Sequence, residues 1–189
     1  MVQRIVNLIS KKILVAECIA QEEEEICRFG LECMILKFLN YISYIVIGIF
    51  THSLPSLFIT ACVFLPLRSR AGGYHSKTRL KCYLFSCFIV LVICVLSSIS
   101  LPIWLNLGSL FISNVIIWLF APVENSNRSL SEYEKRIFRL QSLIIMVLFD
   151  LIIIFTIFDN ENISNSLTLG IVAVAFLVII EKEKNRYFG

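Results

Sequence analysis

The chain has 189 residues, of which 58% are hydrophobic and 16% charged, with a formal net charge of +3. A soluble domain carries about 45–50% apolar and about 25% charged residues, so this excess cannot be hidden in one core of this size, and a soluble enzyme or a disordered chain is excluded. The charge is too small, and the basic residues too little interleaved with aromatics, to indicate a nucleic-acid partner; an integral membrane protein remains.

Residues 1–20 predict an amphipathic helix. Val2, Ile5, Val6, Ile9, Ile13 and Leu14 recur at three- and four-residue steps, with Gln3, Arg4, Asn7, Lys11 and Lys12 on the other face. Such a helix suits the plane of the membrane interface. No cleavable signal peptide is expected, because no central apolar block is followed by a small-residue cleavage site. The run Glu22–Glu25 reads as a solvated helix face, so 1–30 forms a cytoplasmic leader before a bundle over 31–181, within one domain.

Apolar runs follow at 33–51, 54–67, 82–101, 103–121, 140–158 and 163–180. A membrane crossing takes roughly 17–25 helical residues. The second run has fourteen residues and holds Pro55 and Pro66, so it must be tilted, extended by its neighbours or re-entrant. The expected fold is an all-α integral membrane protein of about six transmembrane helices. All 17 Lys and Arg fall before or at the start of span one, in 68–81, in 122–139 or after 180. The loops near 51–54, 101–103 and 159–163 have none. Cationic loops stay in the cytoplasm, which places both termini there and favours an even number of crossings.

Seven cysteines in such a chain do not suggest a disulfide framework. Cys62, Cys87 and Cys94 read as inert packing residues, and Cys18, Cys27 and Cys33 lack zinc-ligand spacing, so no metal or other cofactor is expected. His52 reads as a solvated residue of an outer loop. Asp150 interrupts span five, at a cost of roughly 2.5–3.5 kcal/mol at mid-membrane. It is either a functional group facing a polar cavity or the partner in a helix-packing hydrogen bond.

The stretch Arg68 to Cys82 is the polar centre of the chain. Gly72 and Gly73 allow a sharp bend or close approach of a ligand. His75 and Cys82 supply a base and a thiol, and an imidazole or the cations Arg70, Arg79 and Lys81 would favour the nucleophilic thiolate. A straight helix would carry Cys82 about 10 Å along the axis from His75, out of proton-transfer reach. The dyad therefore requires a break between them, with Cys82 in the first turn of span three. A solvated histidine and a cysteine acting as a small hydrophobe remain the alternative.

The block Ala71-Gly-Gly-Tyr-His75, with Cys82 seven positions on, resembles the accessory gene regulator B (AgrB) family. Ala121-Pro-Val-Glu-Asn125 and Cys27-Arg-Phe-Gly-Leu-Glu32 resemble two further family blocks, and the likeness extends over nearly the whole chain. The resemblance implies a membrane cysteine endopeptidase of the bacterial cell membrane. It would process an AgrD-like propeptide into a cyclic quorum-sensing peptide and act as a homodimer in the lipid bilayer. It implies His75 and Cys82 as the catalytic pair and Arg68 as an arginine required for activity. The acidic tail of such a propeptide is a natural ligand for Arg70, Lys77, Arg79, Lys81, Arg136 and Arg139, with Gly72 and Gly73 at the bend. A small peptide transporter using Asp150 and a protein S-acyltransferase using Cys82 are the competing readings.

Overall fold

A computed structural model describes residues 24–74, 79–99, 101–124 and 130–188. The amphipathic leader, His75, Lys77, Asn125 and Arg128 lie outside the described residues. Six helices follow in order: α1 (Glu24–Phe50), α2 (Leu54–Ala71), α3 (Arg79–Ser97), α4 (Ile103–Phe120), α5 (Glu132–Thr156) and α6 (Glu161–Phe188). All but α2 are long and apolar enough to cross a membrane. The chain is an all-α membrane protein. Two compact units divide between Val46 and Ile47.

In the first unit, α1 keeps its polar groups satisfied within the helix, as hydrocarbon demands. Asn40 Nδ2 donates to the Leu36 carbonyl at 3.1 Å and Ser43 Oγ to that of Leu39 at 2.9 Å. Met34, Phe38, Tyr41, Ile42 and Ile45 are exposed, an arrangement suited to acyl chains.

The second unit is built around α6. Helices α2, α3, α4 and α5 all pack on it, and Val63, Leu67, Ile117, Ile153, Ile171, Val174 and Val178 are fully buried there. Close approach of α2 and α6 depends on Gly170, where an added Cβ would run into Val63 and lie 3.0 Å from the Thr60 carbonyl oxygen. Thr60 Oγ1 donates to the Ser166 carbonyl at 2.8 Å beside it. The outward sides of α3, α4 and α5 present Phe88, Trp104, Phe111, Trp118, Leu148 and Phe155.

Helix α2 continues through Pro66 and runs four residues beyond the apolar run, past Arg68 and Arg70 to Ala71. Its 18 residues rise about 27 Å at 1.5 Å each. The extension arises because arginine favours a helix nearly as well as leucine. Its long apolar stem also lets the charged head leave the hydrocarbon. At the far end of the bundle, Ser53 Oγ donates to the Cys94 carbonyl at 3.2 Å and Asn165 Nδ2 to that of Ile99 at 3.2 Å. His52 is exposed there. Helix α5 starts with a capping box, in which Ser131 Oγ accepts the Glu134 N–H and the Glu134 carboxylate accepts the Ser131 N–H.

Candidate functional site

Helix α2 ends at Ala71 because the next residue leaves helical space: Gly72 has φ 77° and ψ −156°, and Gly73 has φ 131°. Side chains rarely tolerate either conformation. A Cβ on Gly72 would strike the Val123 carbonyl oxygen, and one on Gly73 would strike the Arg68 guanidinium. The bend lets Gly72 form an isolated parallel bridge with Val123, whose N–H donates to the Ala71 carbonyl at 3.0 Å. Two sequence blocks fifty residues apart, Ala71–Tyr74 and Ala121–Glu124, thus lie side by side.

Three contacts hold the segment. The Tyr74 N–H donates to the Leu177 carbonyl of α6 at 3.1 Å. Arg68 Nη2 donates to the Tyr74 carbonyl at 2.7 Å, closing a loop between the last turn of α2 and the residue before His75. The Tyr74 ring packs edge-on against Phe85 of α3, with centroids 4.9 Å apart. Phe85 stands three positions after Cys82, on the same side of the helix.

Cys82 is the fourth residue of α3 as described, is half-buried and carries a free thiol. Arg68 lies within electrostatic reach of both Cys82 and Glu181. The structure therefore gathers Arg68, Gly72, Gly73, Tyr74 and Cys82 in one region. His75 lies outside the described residues.

The cations expected to hold an acidic tail are dispersed around the same end of the bundle. Arg70 lies over the Phe138 ring at 5.4 Å from its centroid, a cation–π distance. Lys81, Arg136 and Arg139 are exposed, and Arg139 Nη2 reaches the Trp118 carbonyl at 3.4 Å. Arg79 opens α3, its side chain outside the described atoms. Lys182 Nζ sits 3.1 Å from the Phe120 ring centroid. Glu124 bridges the loop before α5. Its Oε1 accepts the Leu130 N–H at 2.9 Å and faces Lys135 Nζ at 3.4 Å. The Leu130 N–H first, and then Lys135, hold this carboxyl below the ordinary carboxylate range.

Asp150 is removed from this end, about 16 Å along α5 from Arg139 at 1.5 Å per residue. It is half-buried, and its Oδ2 accepts a hydrogen bond from Asn114 Nδ2 of α4 at 2.8 Å. This hydrogen bond links α4 to α5. Cys94 is fully buried, as a packing residue is, whereas Cys62 is exposed on α2 and Cys87 half-buried.

One group escaped the sequence reading. The last apolar run ends at residue 180 and the expected bundle at 181, yet α6 continues to Phe188 and buries Glu181 completely. Lys184 Nζ donates to both Glu181 oxygens, at 2.9 and 3.1 Å, and lies 5.4 Å from the Tyr74 ring centroid. The only sequence signal is the spacing of Leu177, Glu181 and Lys184, which puts them on one side of a continued helix.

The family model for accessory gene regulator B matches residues 2–179. The chain belongs to the AgrB family. It is 28% identical over 153 residues to Protein FsrB of Enterococcus faecalis (strain ATCC 47077 / OG1RF), a match covering 79% of this chain and 62% of FsrB. It is 26% identical over 184 residues to an AgrB-like protein of Clostridium perfringens (strain SM101 / Type A), covering 90% and 84% of the two chains. No solved structure matches it. Of the three blocks that carried the resemblance, the described parts of two, Ala71–Tyr74 and Ala121–Glu124, are the segments that pair through Gly72 and Val123.

Proposed function

We propose that this AgrB-family protein is a membrane cysteine endopeptidase that removes the C-terminal tail of an AgrD-like propeptide and passes the remainder on to a cyclic quorum-sensing peptide. The observation carrying this reading is the docking of the Arg68–Tyr74 loop on the α3 face that bears Cys82. The thiol stands half-buried within electrostatic reach of the Arg68 guanidinium, and Tyr74, which precedes His75 in the sequence, packs on Phe85 one turn along α3 from Cys82.

In the proposed reaction His75 takes the Cys82 proton and the thiolate attacks the carbonyl carbon of the scissile peptide bond. The C–N bond breaks as His75 returns its proton to the leaving amine, which leaves the acyl group on Sγ and frees the tail. A substrate thiol then attacks this thioester, loses its proton to the imidazole and expels the Cys82 thiolate, closing a thiolactone. That exchange trades one thioester for another and is nearly neutral in energy, whereas hydrolysis is downhill. The acyl group must therefore be kept from water, which suits a half-buried thiol at the membrane face. Arg70, Lys81, Arg136 and Arg139, dispersed over the same end of the bundle, would supply positive charge for an acidic tail. The clustering of the second unit's described cations at one end, with none near His52, supports a cytoplasmic location for this end and for the C-terminus. A homodimer in the bacterial membrane is part of the same proposal.

The test is cleavage of a synthetic propeptide by the protein in proteoliposomes. Cys82→Ala and His75→Ala are each expected to abolish tail release while the protein accumulates normally. Undiminished release by Cys82→Ala would refute the reading. Asp150→Asn is expected to cleave normally; selective loss of peptide movement across the membrane in that variant would favour transport instead.

A further inference from the structure

Leu177, Glu181 and Lys184 recur at four- and three-residue steps and so form one side of the last turns of α6. Leu177 and Lys184 meet the loop that leaves α2, and Glu181 stands between them. The Leu177 carbonyl accepts the Tyr74 N–H, and its Cβ packs where Gly73 has no side chain. The Arg68 guanidinium and Leu177 Cβ crowd the same face of Gly73, so Glu181, one turn beyond Leu177, lies on the side of α6 that faces Arg68 and within its electrostatic reach. Lys184 bonds both Glu181 oxygens and covers the Tyr74 ring. A fully buried carboxylate is retained only where cations hold it. Here those cations belong to the loop's own anchor and to its cover.

We propose that Glu181 is a positioning residue of the thiol site, the anion that fixes Arg68 and thereby seats the Gly72–Tyr74 segment over α3. This rests on the reading of Cys82 as nucleophile. Glu181 acts through Arg68 and Lys184 and touches no reacting atom. It has a second, electrostatic consequence. Among the described residues, the charged and titratable groups around the thiol region are Arg68 and Arg70 from α2, Tyr74 from the loop, Lys81 from α3, and Glu181 and Lys184 from α6. Glu181 is the anion among these described groups and tempers the cationic field of Arg68 and Lys184. Removing its charge leaves that field unopposed, which favours the thiolate even as the loop loses its seat.

The experiment measures iodoacetamide alkylation of Cys82 against pH in the full-length protein, followed by mass spectrometry, together with the steady-state rate of propeptide cleavage. Glu181→Gln is expected to move the alkylation profile toward lower pH, giving about threefold faster labelling on its acid side. The same variant is expected to lower kcat at least tenfold with little change in KM, and Glu181→Asp to recover most of both. A packing role alone would leave the alkylation profile in place, and an unmoved profile overturns the proposal. If Glu181→Gln fails to accumulate, the double variant Arg68→Gln/Glu181→Gln, which removes both charges together, is expected to accumulate. A double variant as poorly made as the single overturns the pairing. Failure of the enzymatic reading would appear separately, as cleavage by Cys82→Ala, and would not alter the alkylation result.

Discussion

Replacing Gly72 by alanine tests how tightly the loop must be seated. Two costs coincide at this position. The backbone at φ 77°, ψ −156° lies in a region essentially reserved for glycine, which costs about 1–3 kcal/mol for any other residue. The added methyl would also overlap the Val123 carbonyl oxygen, a backbone atom that cannot rotate away. Opposing these are the three hydrogen bonds of the segment, from Val123, Tyr74 and Arg68, each contributing about 0.5–1.5 kcal/mol. The strain is thus comparable to the total holding energy, and at 1.4 kcal/mol per factor of ten the ratio of seated to unseated loop falls about 5- to 150-fold before the overlap is counted. The helices of the bundle core are untouched, so the melting temperature of detergent-purified protein should change by only a few degrees while cleavage falls at least tenfold. Gly108→Ala, where an added Cβ meets nothing within 4 Å in a helix interior, is the control and should cleave normally. Wild-type cleavage by Gly72→Ala would refute the claim that the paired Gly72–Val123 conformation is needed at the site.

Three further outcomes follow from the same geometry. Arg68→Lys keeps the charge but loses the planar fork that reaches the Tyr74 carbonyl, so cleavage should fall less than in Arg68→Gln yet remain at least several-fold below wild type in the proteoliposome assay. Gly170→Leu must separate α2 from α6 and should lower the melting temperature strongly, with circular dichroism reporting earlier loss of helix; an unchanged melt would contradict the packing at Thr60 and Val63. Glu124, held below the ordinary carboxylate range, contributes stability that is present above its unfolded value and is lost as pH falls through its folded value. Thermal melts in acid should therefore be flatter for Glu124→Gln than for the wild type over that window.

Composition alone exposed the lipid environment, and the apolar runs located the helices because hydrocarbon tolerates little else. The ends were less legible. Arg68 and Arg70 end an apolar run without ending a helix, so α2 extends beyond its hydrophobic segment, and α6 does the same through Glu181 and Lys184. In both cases hydropathy reports the solvent around the side chain while the backbone continues. The glycine pair announced a bend, but not that the bend pairs with Val123, since no local pattern encodes which distant segment a loop will meet. Arg68 and Cys82 stood out as polar groups in an apolar chain. Glu181 did not, because a glutamate among lysines at the end of a span reads as solvated, and only the tertiary packing of α6 against the loop buries it.

The central claim is that a covalent bond forms between Cys82 and the substrate. Rapid acid quenching of the protein with its propeptide, followed by intact-mass and tryptic mass spectrometry, examines this directly. The account predicts an adduct of the tail-less peptide on the Cys82 peptide, sensitive to hydroxylamine as a thioester is and absent in Cys82→Ala. Continued release of the tail with no such adduct, or an adduct on a different cysteine, would contradict it.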